Sequence, residues 1–295
     1  MRGPLAALVA ACGLGACGGP EPSYSWREGA VATFEVRVRE ELRPSKIARE
    51  VQISATGRVA GASALELSVV RVRHELLGAS GALTAVDTSD TTADPADRTA
   101  GDAALARVAE ALTGRSVRLT FDPVRGLAAV SGMDAALDAA ARASDPDAEE
   151  ARDGLRSLVS DAALLRSLRA AGLCAAPDSF RDRSASYARE AEAFVPGRGV
   201  TPLRLTGAAG EEKDGSPVLR LAGTLRDDAS FSGDPGPAPM DEIGAVVVRA
   251  VKSESETLYD RDTRTPLRGR AEIAFPFERF VTMAVRTSFT MAVRP

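Results

Sequence analysis

The sequence predicts an α+β domain: a curved, half-barrel-like antiparallel sheet with a helical insertion packed on it. Three observations predict it. Apolar and polar residues alternate from Val31 onward and again up to Val293, the period-2 spacing of strands with one wet face. Between these strand-rich portions, residues 133–173 carry apolar residues at helical spacing. The turns joining the first strands are short, as in an antiparallel meander.

Taken in order, Ala32, Phe34, Val36 and Val38 alternate with Thr33, Glu35, Arg37 and Arg39, and Pro44-Ser45 turns the chain. Val51, Ile53, Ala55 and Val59 repeat the pattern. Leu65, Leu67 and Val69 make a third strand whose phase shifts at Val70 and Val72, as at a bulge or in a strand buried on both faces. Residues 87–102 read as a polar loop before a short helix over 103–112. Val117, Leu119 and Phe121 then lead through Asp122, Pro123 and Gly126 into residues 127–131, a hairpin with its turn residues in place. In the helical section, Asp145 precedes Pro146 as N-cap and first helical residue, and Leu155, Leu158, Val159 and Ala162 make one apolar stripe. Asp161 is expected to cap a second helix ending at Gly172. Residues 177–199 show no clear period. Strands resume at 202–205 and 218–225, and 230–240 is a Gly- and Pro-rich loop. Residues 243–251, nearly continuously apolar, and 267–275, which alternate, read as two long strands. The alternation from Val281 to Val293 is regular enough to place the last strand inside the sheet.

Composition narrows the function. A net charge of −4 across 295 residues, with 26% charged, supplies no cationic surface for nucleic acid. No stretch approaches the roughly 18 consecutive apolar residues of a membrane helix. Arginine greatly outnumbers lysine, which occurs only at Lys46, Lys213 and Lys252.

The N-terminus reads as a signal peptide: Arg2, an apolar region over 5–12, then small residues. Leu14-Gly15-Ala16-Cys17 resembles the lipobox of bacterial lipoproteins. The resemblance implies cleavage between Ala16 and Cys17 and acylation of Cys17 by diacylglycerol and palmitate. It implies a membrane partner reached through that lipid anchor, which is stable once two or more chains are attached. In the best-known sorting scheme an Asp after the cysteine retains a lipoprotein at the inner membrane. Gly18 therefore implies the outer membrane of the cell envelope, facing the periplasm. The chain divides into a leader over 1–16, a lipidated tether over 17–30 and a single β-rich domain over 31–295. The formal G-x-G-x-x-G over 13–18 lacks the strand and helix that a dinucleotide site needs. Tyr24 and Trp26 are expected either to touch headgroups or to pack the tether on the domain. Cys12 leaves with the leader and Cys17 is acylated, so Cys174 has no partner for an intramolecular disulfide; it is expected as a small buried residue.

This layout resembles envelope lipoproteins built on a curved antiparallel sheet, among them half-barrel lipid carriers such as the lipoprotein-localisation carrier and receptor. Over residues 30–135 the meander, Asp87-Thr88-Ser89, the helix and Phe121-Asp122-Pro123-x-x-Gly126 with Gly132 are similar to a family of uncharacterised bacterial lipoproteins. That family brings no activity, and its Trp-containing strand has no counterpart near residue 200.

Catalytic chemistry lacks residues. His74 is the sole histidine, no G-x-S-x-G is present, and His74-Glu75 is followed by no second histidine for zinc. Asp87, Asp90, Asp94, Asp97 and Asp102 lack the D-x-D-x-D-G spacing of a calcium loop and read as a solvated, capping segment. The expectation is no enzyme, no cofactor and no metal. Two functions fit: binding an apolar ligand such as an acyl chain in a cavity of the curved sheet, or a structural or protein-interaction lipoprotein of the envelope with a filled core. Small inward residues at Ala32, Ala55 and Ala284 suit either, and a lined cavity would separate them.

Overall fold

The computed structural model describes residues 26–61, 63–90, 99–122, 126–142, 147–173, 186–195, 199–211, 215–225, 230–232, 251–263, 265–277 and 281–294. Cys17 with the rest of the lipobox, Tyr24, Asp94, Asp97, Asp145-Pro146 and Cys174 lie outside them, as does the apolar segment 243–251 save Val251.

β1 (Val31–Arg43), β2 (Ile47–Val59) and β3 (Ala64–Gly78) form the expected meander. Their alternation buries Ala32, Phe34, Val36, Val38, Val51, Ile53 and Ala55 on one face. The phase shift in β3 is a β-bulge, where pairing passes from Ala55–Val69 to Ser54–Arg71 and leaves Val70 out of register and exposed. Val72 and His74 thereby return to the buried face. β4 (Gly81–Asp87) and β5 (Ser116–Asp122) pair with opposite ends of β3, and β6 (Gly126–Ser131) completes the hairpin. Between them α1 (Ala100–Leu112) begins three residues ahead of its apolar period, because the Thr99 hydroxyl caps the Asp102 amide.

The helical section is three helices: α2 (Met133–Arg142), α3 (Asp147–Val159) and α4 (Asp161–Ala170). The cap of α4 is Ser160, whose hydroxyl accepts from the Ala163 amide at 3.2 Å, rather than Asp161. Asp161 instead accepts from the Met133 amide at 2.8 Å and so ties α4 to the start of α2.

The C-terminal strands are β7 (Ser186–Val195), β8 (Gly199–Glu211), β9 (Pro217–Thr224), β10 (Lys252–Tyr259), β11 (Pro266–Phe277) and β12 (Val281–Arg294). β7 lies in the segment without a legible period, since its buried positions include Ala191 and Ala193. β10 went unpredicted for a related reason: Ser253, Ser255 and Thr257 occupy its buried face. β12 pairs with β1 and with β11, an interior strand as its alternation predicts. Ala284, expected inward, falls on the opposite face beside Arg286, where it is still fully covered.

The strands form one large antiparallel sheet in the order β6-β5-β3-β2-β1-β12-β11-β10-β9-β8-β7, with β4 also on β3. The sheet is open, because β6 and β7 end the path unpaired with each other among the described residues. The helices cover its apolar face: α1 meets β3 and β4, and α4 meets β6, β7, β11 and β12. Leu65, Leu112, Leu119, Leu127, Leu137, Leu155, Leu158 and Leu168 are fully buried in one continuous core. Among the described residues no helix is long and apolar enough to cross a membrane. Trp26 packs onto the domain, edge-on to Phe121 at 4.8 Å, with its indole N–H donating to Thr265 at 3.1 Å. This selects the tether-packing alternative for that residue.

Candidate functional site

Two concavities lie on opposite faces of the sheet. The first is an apolar cleft of about 70 Å³ between α4 and the sheet. Its walls are Val38 of β1, Ile273 and Phe275 of β11, Met283 and Val285 of β12, and Phe194 of β7. The helical period of α4 turns Ala163, Arg166, Ser167 and Ala170 toward it, while Leu164 and Leu168 are buried in the core beside that stripe. Arg166 stands over the Phe194 ring at 5.5 Å. Burial lowers its pKa from the ordinary value, against an opposing attraction from Glu192. Glu40 also borders the cleft, but Arg49 holds it at 2.6 Å.

The two ends of α4 are anchored differently. Near the C-terminal end, Arg169 donates to the Leu127 and Ala128 carbonyls of β6 at 2.8 and 3.0 Å, and the Leu127 amide donates to Leu173 at 3.1 Å. Arg189 of β7 donates to the Ala170 carbonyl at 2.9 Å, and the Thr257 hydroxyl of β10 donates to that of Ala171 at 3.2 Å. Gly172 follows with φ +91°, and a Cβ there would stand 1.7 Å from the Thr257 hydroxyl oxygen. The N-terminal end bonds within the helical layer, through Asp161 to Met133 and through the Asp161 amide to Asp134 at 3.3 Å. Arg49 of β2 ties α3 to the sheet by donating to the Gly154 carbonyl and the Ser157 hydroxyl, each at 3.0 Å.

The second concavity, about 870 Å³, is a groove on the charged face. Register builds it: Glu50, Arg39, Arg286, Glu272 and Glu254 make one row across β2, β1, β12, β11 and β10. The row beside it runs from Arg37 through Ser288, Arg270 and Glu256 to Arg220. Most of these charges neutralise one another. Glu50 pairs with Arg37 at 2.5 Å, Glu272 with Arg286 at 2.6 Å and Arg43 at 3.0 Å, and Glu256 with Arg220 at 2.7 Å and Arg270 at 3.0 Å. Burial opposes the ionisation of Glu272, yet the hydrogen bonds from Arg286 and Arg43 outweigh it and lower its pKa. The exposed pairs, such as Arg220 with Glu256 and Arg286 with Glu272, contribute little each, about 0 to 1 kcal/mol, whereas Glu50 is buried and needs its Arg37 partner to offset desolvation.

The residues singled out in the sequence do not converge. His74 is buried beneath the sheet with its pKa pushed down to about 4, by burial first and by Arg49 second. Asp87 pairs with Arg71, whose hydrogen bonds lower its pKa, and Asp102 bonds the Thr99 hydroxyl. Among the described residues no three His, Cys, Asp or Glu side chains gather as metal ligands do. Arg166, Phe194 and Glu192 were missed. Arg166 interrupts an apolar run at Leu164, Leu165 and Leu168, a visible signal, whereas Phe194 sits in the segment without a period.

Neither a protein-family model nor a curated protein matches the chain. Among solved structures it is similar to one of lipid–protein interactions in lipovitellin, at 8% identity and TM-score 0.48, over 92% of this chain and 26% of that one. The chain thus spans about a quarter of that protein's length. It is also similar to an AttH of Nitrosomonas europaea at 9% identity and TM-score 0.15, over 89% of this chain and 92% of that one. Both scores lie below 0.5, so neither likeness bears on function, and the geometry of the cleft carries the functional reading.

Proposed function

We propose that this protein is an envelope lipoprotein, cleaved before Cys17 and acylated there, whose sheet forms a half-barrel that holds an apolar chain in the cleft beneath α4. The observation that carries the reading is the apolar cleft itself, walled by Val38, Ile273, Phe275, Met283, Val285 and Phe194 under a helix pinned at one end. Contact supports the half-barrel. At about 4.8 Å per strand, a flat path from β6 to β7 would span about 48 Å. Helix α4 has 10 residues and measures about 15 Å by about 10 Å, yet it touches both strands. The path must bend around it.

The proposed anchor is in the outer membrane, as Gly18 implies. Trp26 lies where β2 turns into β3 and β10 into β11, whereas Phe275, Met283 and Phe194 stand toward the opposite ends of their strands. The described chain therefore starts at the end of the sheet away from the cleft. The reading contains no catalytic step and no metal or cofactor.

Size sets how binding occurs. About 70 Å³ is the room of two or three water molecules, far below the roughly 300 Å³ at which ligand pockets begin. Two or three methylenes at about 0.8 kcal/mol each do not offset an association cost of about 4 kcal/mol or more. A bound chain therefore lifts the N-terminal end of α4 from the sheet, turning on the anchored C-terminal end. A second reading, a structural or interaction lipoprotein with a closed interior, is favoured by the filled leucine core.

Residues 20–295, secreted behind a cleavable leader and purified from the envelope, test this in non-denaturing mass spectrometry. An adduct with the mass of an acyl lipid, lost in Val285→Asp, is the expected result. A bare protein, together with cleft residues that stay protected from exchange when lipid is added, would establish the second reading.

A further inference from the structure

Arg166 distinguishes the mouth of the cleft from an ordinary apolar groove. It is half-buried, it borders the cleft, and among the described residues it makes no ion pair or hydrogen bond. The neighbouring cations are committed elsewhere: Arg169 bonds the carbonyls of β6, Arg49 holds Glu40 and α3, and Arg189 bonds Ala170 and Ser255. The other charged groups at the cleft are Glu40, already paired, and Glu192, which is exposed and acts on Arg166 only through space. The polar remainder is Ser157, Ser167 and Thr287.

The Arg166 guanidinium stands over the Phe194 ring, a contact that uses no N–H, and without a hydrogen-bond partner among the described residues its N–H donors are available. A half-buried cation with open donors is poorly matched to a neutral hydrocarbon, which would desolvate it further without compensation. An acidic head group at this point accepts those hydrogen bonds while the chain below it enters the apolar walls. Such charge-assisted bonds are about twice as strong as neutral ones and suit carboxylate and phosphate oxygens alike.

We propose that the ligand of the cleft is an anionic amphiphile with a single acyl chain, its carboxylate or phosphate head bound by Arg166 and its chain lying between α4 and strands β11 and β12. This rests on the cleft being a site for an apolar chain, and the test separates the two. A single chain is specified because one helix of 10 residues roofs the cleft.

The full-length acylated protein in phosphatidylcholine vesicles is photolabelled with a diazirine analogue of palmitate, and labelling is competed with palmitate, lysophosphatidate or hexadecanol. At least one of the two anions should compete at about a tenfold lower concentration than the alcohol, the effect of one charge-assisted interaction. Which of them does so identifies the head as carboxylate or phosphate. Arg166→Gln should abolish the preference with little change in competition by hexadecanol, and Arg166→Lys should retain part of it. Equal competition by hexadecanol in the wild type overturns the anionic head but leaves the apolar-chain site standing. That comparison decides the matter even if Arg166→Gln does not fold. Absence of displaceable labelling in the wild type overturns both.

Discussion

The two ends of α4 are held by different kinds of contact, and the difference assigns them different roles. The C-terminal end meets the sheet through hydrogen bonds to backbone carbonyls: Arg169 donates to carbonyls of β6 at one edge, while Arg189 of β7 at the other edge and Thr257 of β10 donate to the Ala170 and Ala171 carbonyls at the end of the helix. Such bonds are directional and costly to leave unmade. The N-terminal end bonds to α2 and meets the sheet across an apolar cleft. Apolar contact has no preferred direction, so this end can separate if something apolar replaces the sheet. One end is held by directional bonds and the other by apolar contact, the asymmetry on which the proposed chain site rests.

The largest effect is expected from forcing the fixed end apart. Gly172→Ala places a side chain at φ +91° against Thr257, combining about 1–2 kcal/mol of backbone strain with about 1–3 kcal/mol of overpacking. Thermal unfolding should fall by roughly 6–12 °C for a loss of about 3 kcal/mol. Acidification probes a different part of the molecule, the buried face of β3. The folded pKa of His74 is about 4, below the ordinary value of 6.5, so its contribution is full above about pH 6.5 and is lost as pH falls toward 4. Urea unfolding should show a decline on the order of 3 kcal/mol across that window, which His74→Gln flattens. If the decline survives the substitution, His74 is not its source.

Arg169→Ala attacks the fixed end more gently. Removing the donor to Leu127 and Ala128 should cost about 2 kcal/mol and accelerate hydrogen exchange in β6, with α2 unaffected. Val285→Asp costs about 1–2 kcal/mol, a carboxylate among apolar walls whose desolvation is limited because the residue is half-buried. It should nonetheless abolish lipid binding, because a carboxylate then lies in the path of the chain. Retained binding would remove Val285 from the cleft wall.

The fixed end and the free end were unequally legible in the sequence. Alternation in β1, β2 and β12 revealed the strands and the interior place of the last one, because each buries one apolar face. β7 and β10 were hidden, since their buried positions Ala191, Ala193, Ser253, Ser255 and Thr257 carry small or hydroxyl-bearing side chains. Pattern reading weighs hydrophobicity, whereas Ala191 and Ala193 are small and buried, and Ser255 and Thr257 are buried with hydrogen bonds to Arg189 and the Ala171 carbonyl. Nor does one strand's alternation contain its register, so the pairing of Arg286 with Glu272 and the assembly of the cleft from β1, β7, β11 and β12 appear only in three dimensions. Arg166 was visible as a break in an apolar run, but its neighbour Phe194 was not.

The most direct test of a chain-binding cleft is where a bound chain lies. Photolabelling the full-length protein in its own membranes with diazirine palmitate, followed by peptide mapping, should place adducts on the peptides containing Ile273 to Phe275 and Met283 to Val285, and Val285→Asp should remove them. Adducts confined to the charged face around Arg37 and Arg270, or none above those on an unrelated lipoprotein, would contradict the account.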